Sequence, residues 1–182
     1  MIRLSQKSLT LEEFLQYPET QPASEYKQGR VTQKPMPQGQ HSTLQVDLTE
    51  TINAATKRQK IARAYTEIRC IVGDRVIVPD IGIFTWDRIP TDEQGNVANQ
   101  FNLAPNWLIE ILSPNQATIP VIEKILHSLN YGTEMGWLIK NSLWKPPPRT
   151  AGGGGNKRQP AGFNTPLTDH LCGQLTKMPV AR

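Results

Sequence analysis

Histidine and cysteine are scarce in this chain, with three of the first (His41, His127, His170) and two of the second (Cys70, Cys172) among 182 residues. The cysteines lie about a hundred residues apart in unlike contexts, which excludes a disulfide framework and predicts two free thiols. The histidines share no HxxxH-type spacing, so zinc chemistry is not expected. No apolar run approaches the roughly 18 residues of a membrane span, and Met1 to Ser8 lacks the apolar core of a signal peptide. These absences predict a cytoplasmic protein with no membrane partner.

The sequence pI near 9.2 invites a nucleic-acid reading, but the charge is unevenly placed. Residues 141–182 hold six basic side chains (Lys145, Arg149, Lys157, Arg158, Lys177, Arg182) against Asp169 alone, leaving fourteen basic and fifteen acidic ones before them. The same stretch carries Pro146-Pro-Pro148 and Gly152-Gly-Gly-Gly155 and shows no periodicity. The expectation is one compact domain over residues 1–140 and a basic, Pro/Gly-rich tail over 141–182 that is disordered or degenerate.

Within the first 140 residues the pattern alternates between helix and strand periods. Thr10-Leu-Glu-Glu13 has the form of a capping box opening a short helix that ends near Tyr17-Pro18. Glu25 to Lys34 reads as a hairpin turning at Gln28-Gly29, which brings Glu25 and Lys34 near each other. Leu44, Leu48, Ile52 and Ala55 form a helical stripe over residues 40–57, with His41 just before it. A strand over 61–68 and a hairpin over 71–78 turning at Gly73-Asp74 follow. Residues 87–105 are predicted as a long polar loop beside the site, and Trp107 to Leu112 as a buried strand. A helix over about 120–131 presents Val121, Ile122, Ile125, Leu126 and Leu129 to the core, and Met135 to Ile139 forms a last strand. This order predicts an α/β fold.

Two carboxylates interrupt this pattern. Asp80 lies within Val76-Ile-Val-Pro-Asp-Ile-Gly-Ile-Phe84, and Glu110 within Trp107-Leu-Ile-Glu-Ile-Leu112. A buried, unpaired carboxylate costs several kcal/mol or takes up a proton, so two in successive apolar segments point to a shared cation. Hard oxygen ligands on rigid strands suit Mg²⁺ or Mn²⁺. Plainer roles exist for each neighbour: Asp80 capping a turn, Glu25 and Lys124 exposed to solvent, His41 starting a helix, and Arg69 and Arg75 either solvated or on phosphate.

The Pro79-Asp80 pair followed by an apolar strand with an acid resembles the PD-(D/E)XK nucleases. The chain is more closely similar to the restriction-endonuclease-like proteins called Uma-two, formerly a domain of unknown function. The resemblance rests on Ala23-Ser-Glu-Tyr-Lys-Gln-Gly-Arg-Val31 and onward to His41, Tyr65-Thr-Glu-Ile-Arg69, Val78-Pro-Asp-Ile-Gly-Ile-Phe84, Trp107-Leu-Ile-Glu-Ile-Leu-Ser-Pro114 and Ile125 to Ile139, in family order.

It implies a restriction-endonuclease-like core, a mixed central β-sheet flanked by helices, with catalytic Glu25, Asp80 and Glu110. It also implies an Mg²⁺- or Mn²⁺-dependent endonuclease acting on DNA, in which Asp80, Glu110 and the Ile111 carbonyl hold the metal. Leu112 stands where the usual lysine follows the acid. Lys124 fits the family's displaced position and is preferred, with Lys34 as the other candidate. A homodimer is expected only by analogy with enzymes that cut both strands. The rival readings are an impaired nuclease fold that binds nucleic acid or protein, and a structural dimer whose acids pair with Arg69 or Arg75.

Overall fold

The computed structural model describes residues 8–114 and 116–140. Its elements, in chain order, are α1 (Leu11–Leu15), β1 (Ser24–Lys27), β2 (Arg30–Gln33), α2 (Gly39–Thr56), β3 (Ala62–Thr66), β4 (Arg69–Val72), β5 (Arg75–Ile77) and β6 (Ile81–Thr85). They continue with β7 (Gln100–Phe101), β8 (Trp107–Leu112), α3 (Thr118–Asn130) and β9 (Met135–Lys140). The predicted tail, with Cys172 and His170, lies outside the described residues. Cys70 is a buried free thiol.

Local chemistry explains most boundaries. The Thr10 hydroxyl accepts from the Glu13 amide and the Glu13 carboxylate from the Thr10 amide, so the expected capping box starts α1. Gln28 and Gly29 both take positive φ, 48° and 80°. That is the backbone a tight two-residue hairpin requires, and it fixes the register Glu25 opposite Thr32 and Lys27 opposite Arg30.

The strands form two mixed sheets, ordered β2-β1-β5-β4-β7 and β3-β6-β8-β9. Consecutive strands β5 and β6 belong to different sheets, and the chain crosses between them through Val78-Pro79-Asp80. Proline has no amide hydrogen for a ladder, so it suits a place where one sheet stops. The α/β class with helices flanking mixed sheet holds, and the strands divide at the Pro-Asp step.

Helix α2 covers one face of the second sheet. Leu44, Leu48 and Ile52 pack there with Ile81, Ile83, Trp107, Ile109 and Ile111. Helix α3 covers the other, where Ile125 joins Leu108, Phe84, Phe101 and Ile77. Each fully buried Leu or Ile contributes roughly 1.5–3 kcal/mol. The face of α3 differs from expectation: Ile122, Leu126 and Leu129 are exposed, while Lys124, His127 and Ser128 are buried with Val121 and Ile125. The helix is turned so that only the Val121–Ile125 edge of its apolar arc meets the core, and the buried polar residues have partners: His127 Nε2 lies 2.7 Å from the Val72 carbonyl, and the Ser128 hydroxyl donates to the Lys124 carbonyl.

Close approach brings α3 onto the sheet. A Cβ on Gly136 of β9 would lie 2.2 Å from Cγ2 of Ile125. Only glycine admits the helix at this distance, and Lys124 is the residue beside the contact.

Candidate active site

Strands β6 and β8 run antiparallel with Ile81 opposite Ile109, Gly82 opposite Leu108 and Ile83 opposite Trp107. Continuing that register by one residue sets Asp80 across from Glu110. Alternation then turns Glu110 to the side of Leu108, toward α3, and away from the α2 face that takes Ile109 and Ile111. Both acids are buried, each with 3% of its surface exposed.

Asp80 is held on all sides. Its Oδ2 accepts from the Ile111 amide at 2.7 Å, and its Oδ1 accepts from the Lys34 ammonium at 2.7 Å with His41 Nε2 at 3.4 Å. Its carbonyl accepts from the Gln45 side chain at 2.8 Å. Burial pushes its pKa up, but hydrogen bonding from His41, the Lys34 charge and the Ile111 amide outweigh burial and hold the carboxyl well below the usual range.

Glu110 is held otherwise. The Lys124 ammonium lies 2.9 Å from its Oε1, yet no donor is aligned on that oxygen for a hydrogen bond among the described residues. Burial is the largest influence on its pKa, and Asp80 and Glu25 add repulsion that Lys124 and Lys34 only partly offset. The pKa is pushed up to about 7. Lys124 also donates to Glu25 at 2.8 Å. Burial would lower its pKa, but Glu110 and Glu25 hold it above the ordinary lysine value, so the ammonium stays charged. Glu25 in turn accepts from the Val78 amide at 2.8 Å, joining β1 to the inter-sheet crossing.

Glu25, Asp80, Glu110 and Lys124 thus line one cavity of about 230 Å³, with Lys34 and His41 also on its wall. The hairpin brings Glu25 and Lys34 to the same cavity, and three details go beyond or against the sequence reading. Lys34 bonds Asp80 and the Val78 carbonyl rather than Glu25, because it follows the last paired residue of β2 and reaches past the hairpin to the crossing. The 87–105 loop contributes nothing to the cavity; it leaves from the far end of β6, about 16 Å along the strand from Asp80. The acids pair with lysines, whereas Arg69 meets Glu19 at 3.6 Å and Arg75 Nη1 donates to the Glu123 carbonyl at 3.5 Å.

Sequence reasoning missed Gln45, Ser113 and Glu67. Gln45 interrupts the apolar stripe of α2, which is a readable signal for a buried polar partner. Ser113 Oγ lies 3.2 Å from His41 Nδ1, and Glu67, at a positive φ of 51°, reaches the same cavity. Neither carries a signal at short range, since each is brought in from a turn.

The family profile described as "Putative restriction endonuclease", Uma2, matches residues 11–149. The chain belongs to the Uma2 family. A crystal structure of a putative nuclease belonging to DUF820 from Anabaena variabilis ATCC 29413 is 56% identical, with a TM-score of 0.70, covering 72% of this chain and 73% of that one. No curated protein matches the chain. The matched Uma2 region includes every residue of the cavity.

The donor set is of the kind a hard divalent ion takes: two buried carboxylates side by side, one with an oxygen lacking an aligned donor. Among the described residues no group of three or more His, Cys, Asp or Glu side chains is gathered to hold a metal ion. Two carboxylates would need a backbone carbonyl, water or a substrate oxygen to complete a shell, and Lys34 lies against the first of them.

Proposed function

We propose that this Uma2 protein is a divalent-metal-dependent endonuclease that hydrolyses DNA phosphodiester bonds, using Mg²⁺ or Mn²⁺. The observation that carries the reading is the convergence of Asp80 and Glu110 from adjacent strands on one buried cavity, with Lys124 fixed between Glu110 and Glu25. Fold alone would not argue this, since one fold serves many functions. Likeness to a solved putative nuclease supports the same reading.

Asp80 and Glu110 would hold the ion with the Ile111 carbonyl as a further ligand. When bound, the ion supplies positive charge at the phosphoryl oxygens and a more acidic water. The chain's own residues do the rest. Ile111, His41 and Gln45 fix Asp80 in place. Lys124 directs its ammonium into the cavity, where it orients the water that attacks phosphorus and offsets the negative charge that develops. Glu25 holds Lys124 by its ion pair and lies near enough to assist the water. Lys34 is the alternative cation for this step, at the other carboxylate. DNA as partner and the cytoplasm as place of action belong to the same proposal, as does pairing of two copies to cut both strands.

Calorimetric titration with Mn²⁺ tests the metal site: wild type takes up the ion and Asp80→Ala does not, and no heat from wild type would sink the metal reading. Plasmid cleavage dependent on the divalent ion and lost in Glu110→Ala tests turnover. A second reading, a catalytically impaired nuclease fold that binds nucleic acid or protein, is favoured by Leu112 at the usual lysine position. Metal uptake without cleavage under any divalent ion would select it.

A further inference from the structure

A second groove of about 530 Å³ opens beside the candidate active site and shares Glu25, Thr32, Pro120 and Lys124 with it. Its floor is the surface of β2, β1 and β5. In the antiparallel register Lys27 stands opposite Arg30 on one side and opposite Arg75 on the other. Residues directly opposite project from the same face, so three cations form one row across three strands. With strands about 4.8 Å apart, the row spans about 10 Å. Like charges directly opposite each other destabilise a sheet, and here two such pairs adjoin.

The protein offsets this row only in part. Glu123 of α3 pairs with Lys27, and Arg75 reaches the Glu123 carbonyl with a long 3.5 Å bond. The Arg75 Nε is buried and has no hydrogen-bond partner among the described residues. Arg30 is exposed, and no acid is paired with it among the described residues. A guanidinium that no carboxylate neutralises, as at the exposed Arg30, is matched by a phosphate in the fork geometry guanidinium prefers.

Position gives the row its use. Glu25 and Lys27 are two residues apart on β1 and share a face, so the cationic row lies about 7 Å from Glu25. That is about the separation of neighbouring phosphates along one strand. We propose that Lys27, Arg30 and Arg75 form a phosphate-binding row that grips the DNA backbone about one phosphate along from the bond presented to Asp80 and Glu110. This rests on the nuclease reading and adds where the substrate strand runs: out of the cavity, across the early hairpin and beneath Glu123. A row of cations on a rigid sheet binds backbone phosphates without reading bases, so it positions the strand and confers no sequence preference.

The test is fluorescence anisotropy of a short labelled DNA duplex with the full chain in EDTA, over a range of salt concentrations. Arg30→Gln/Arg75→Gln is expected to lose at least about tenfold in affinity, and the slope of log K against log salt to fall by about 2, near 0.9 for each lost phosphate contact. Arg30→Gln alone changes one exposed side chain and is expected to lower the slope by about 0.9. Lys57→Gln/Arg58→Gln makes the same charge change at the exposed end of α2, about 24 Å along the helix from His41, and should alter neither. Unchanged slopes in the arginine variants, or equal losses in the Lys57/Arg58 control, would overturn the proposal. Wild type that takes up Mn²⁺ and yet shows no salt-dependent binding to DNA would overturn it while leaving the metal site intact.

Discussion

Replacing Glu110 with glutamine should make the protein more stable at pH 8 and leave it nearly unchanged at pH 5. The carboxyl has an ordinary pKa of 4.5 and is pushed up to about 7 by burial. The folded state therefore keeps a proton that the unfolded state releases between those two values. Stability from the protonated group is fully present below pH 4.5 and is lost as pH rises to 7, since the unfolded chain binds fewer protons through that window. At about 1.4 kcal/mol per pKa unit the whole span is worth on the order of 3 kcal/mol, most of which falls between pH 5 and pH 8. Glutamine imitates the protonated form and does not titrate. Urea unfolding of the full chain in EDTA at both values gives the comparison, and groups common to both proteins cancel. Wild type should lose on the order of 2–3 kcal/mol relative to Glu110→Gln on going from pH 5 to pH 8. Parallel pH profiles for the two proteins would refute the reasoning. Adding Mn²⁺ at about a hundred times its dissociation constant should return about 2.7 kcal/mol to wild type and nothing to the variant.

Lys34→Gln should tighten Mn²⁺ binding about tenfold, about 1.4 kcal/mol, because its ammonium lies 2.7 Å from Asp80 Oδ1 and competes with the ion; weaker uptake by calorimetry would make Lys34 a supporting residue instead. Lys124→Met leaves Glu110 buried without its cation, so it should cost about 3–5 kcal/mol in urea unfolding at pH 8 and distinctly less at pH 5, where Glu110 keeps its proton; a cost equal at both values would count against the pairing. Gly136→Ala should destabilise by about 1–3 kcal/mol and lower divalent-dependent cleavage by moving α3 and Lys124 off the sheet. Full activity at reduced stability would separate helix position from function.

What could be read in the sequence was whatever short-range chemistry decides. The Thr10–Glu13 capping box, the Gln28-Gly29 turn, the α2 stripe and the apolar run around Glu110 each depend on a few neighbouring residues, and each forms as expected. The conspicuous acids Asp80 and Glu110 were legible because charge is costly among β-branched neighbours. The face of α3 was not legible: its apolar residues fall on one arc of less than half the circumference, but the helix is turned so that only the Val121–Ile125 edge of that arc meets the core, and the contact of Ile125 with Gly136 goes with this rotation. The partner of Lys34 was hidden for a related reason. The hairpin register sets where its backbone lies, but a long side chain finds its carboxylate by how the two sheets meet. The same holds for Arg75, whose neighbours on β1 and α3 are fixed by tertiary packing.

The amide of Ile111 gives its hydrogen to Asp80 Oδ2 at 2.7 Å, from a strand in which Glu110 is the preceding residue. That single proton is a natural spectroscopic sentinel. In a nitrogen-15 correlation spectrum its resonance would respond to anything that alters the charge on Asp80, from ion uptake to the departure of Lys34. Its exchange with deuterated solvent would time the opening of the passage between the two sheets. One assigned peak would thus follow both the occupancy of the carboxylates and the integrity of the frame around them, in a sample that need never cleave DNA.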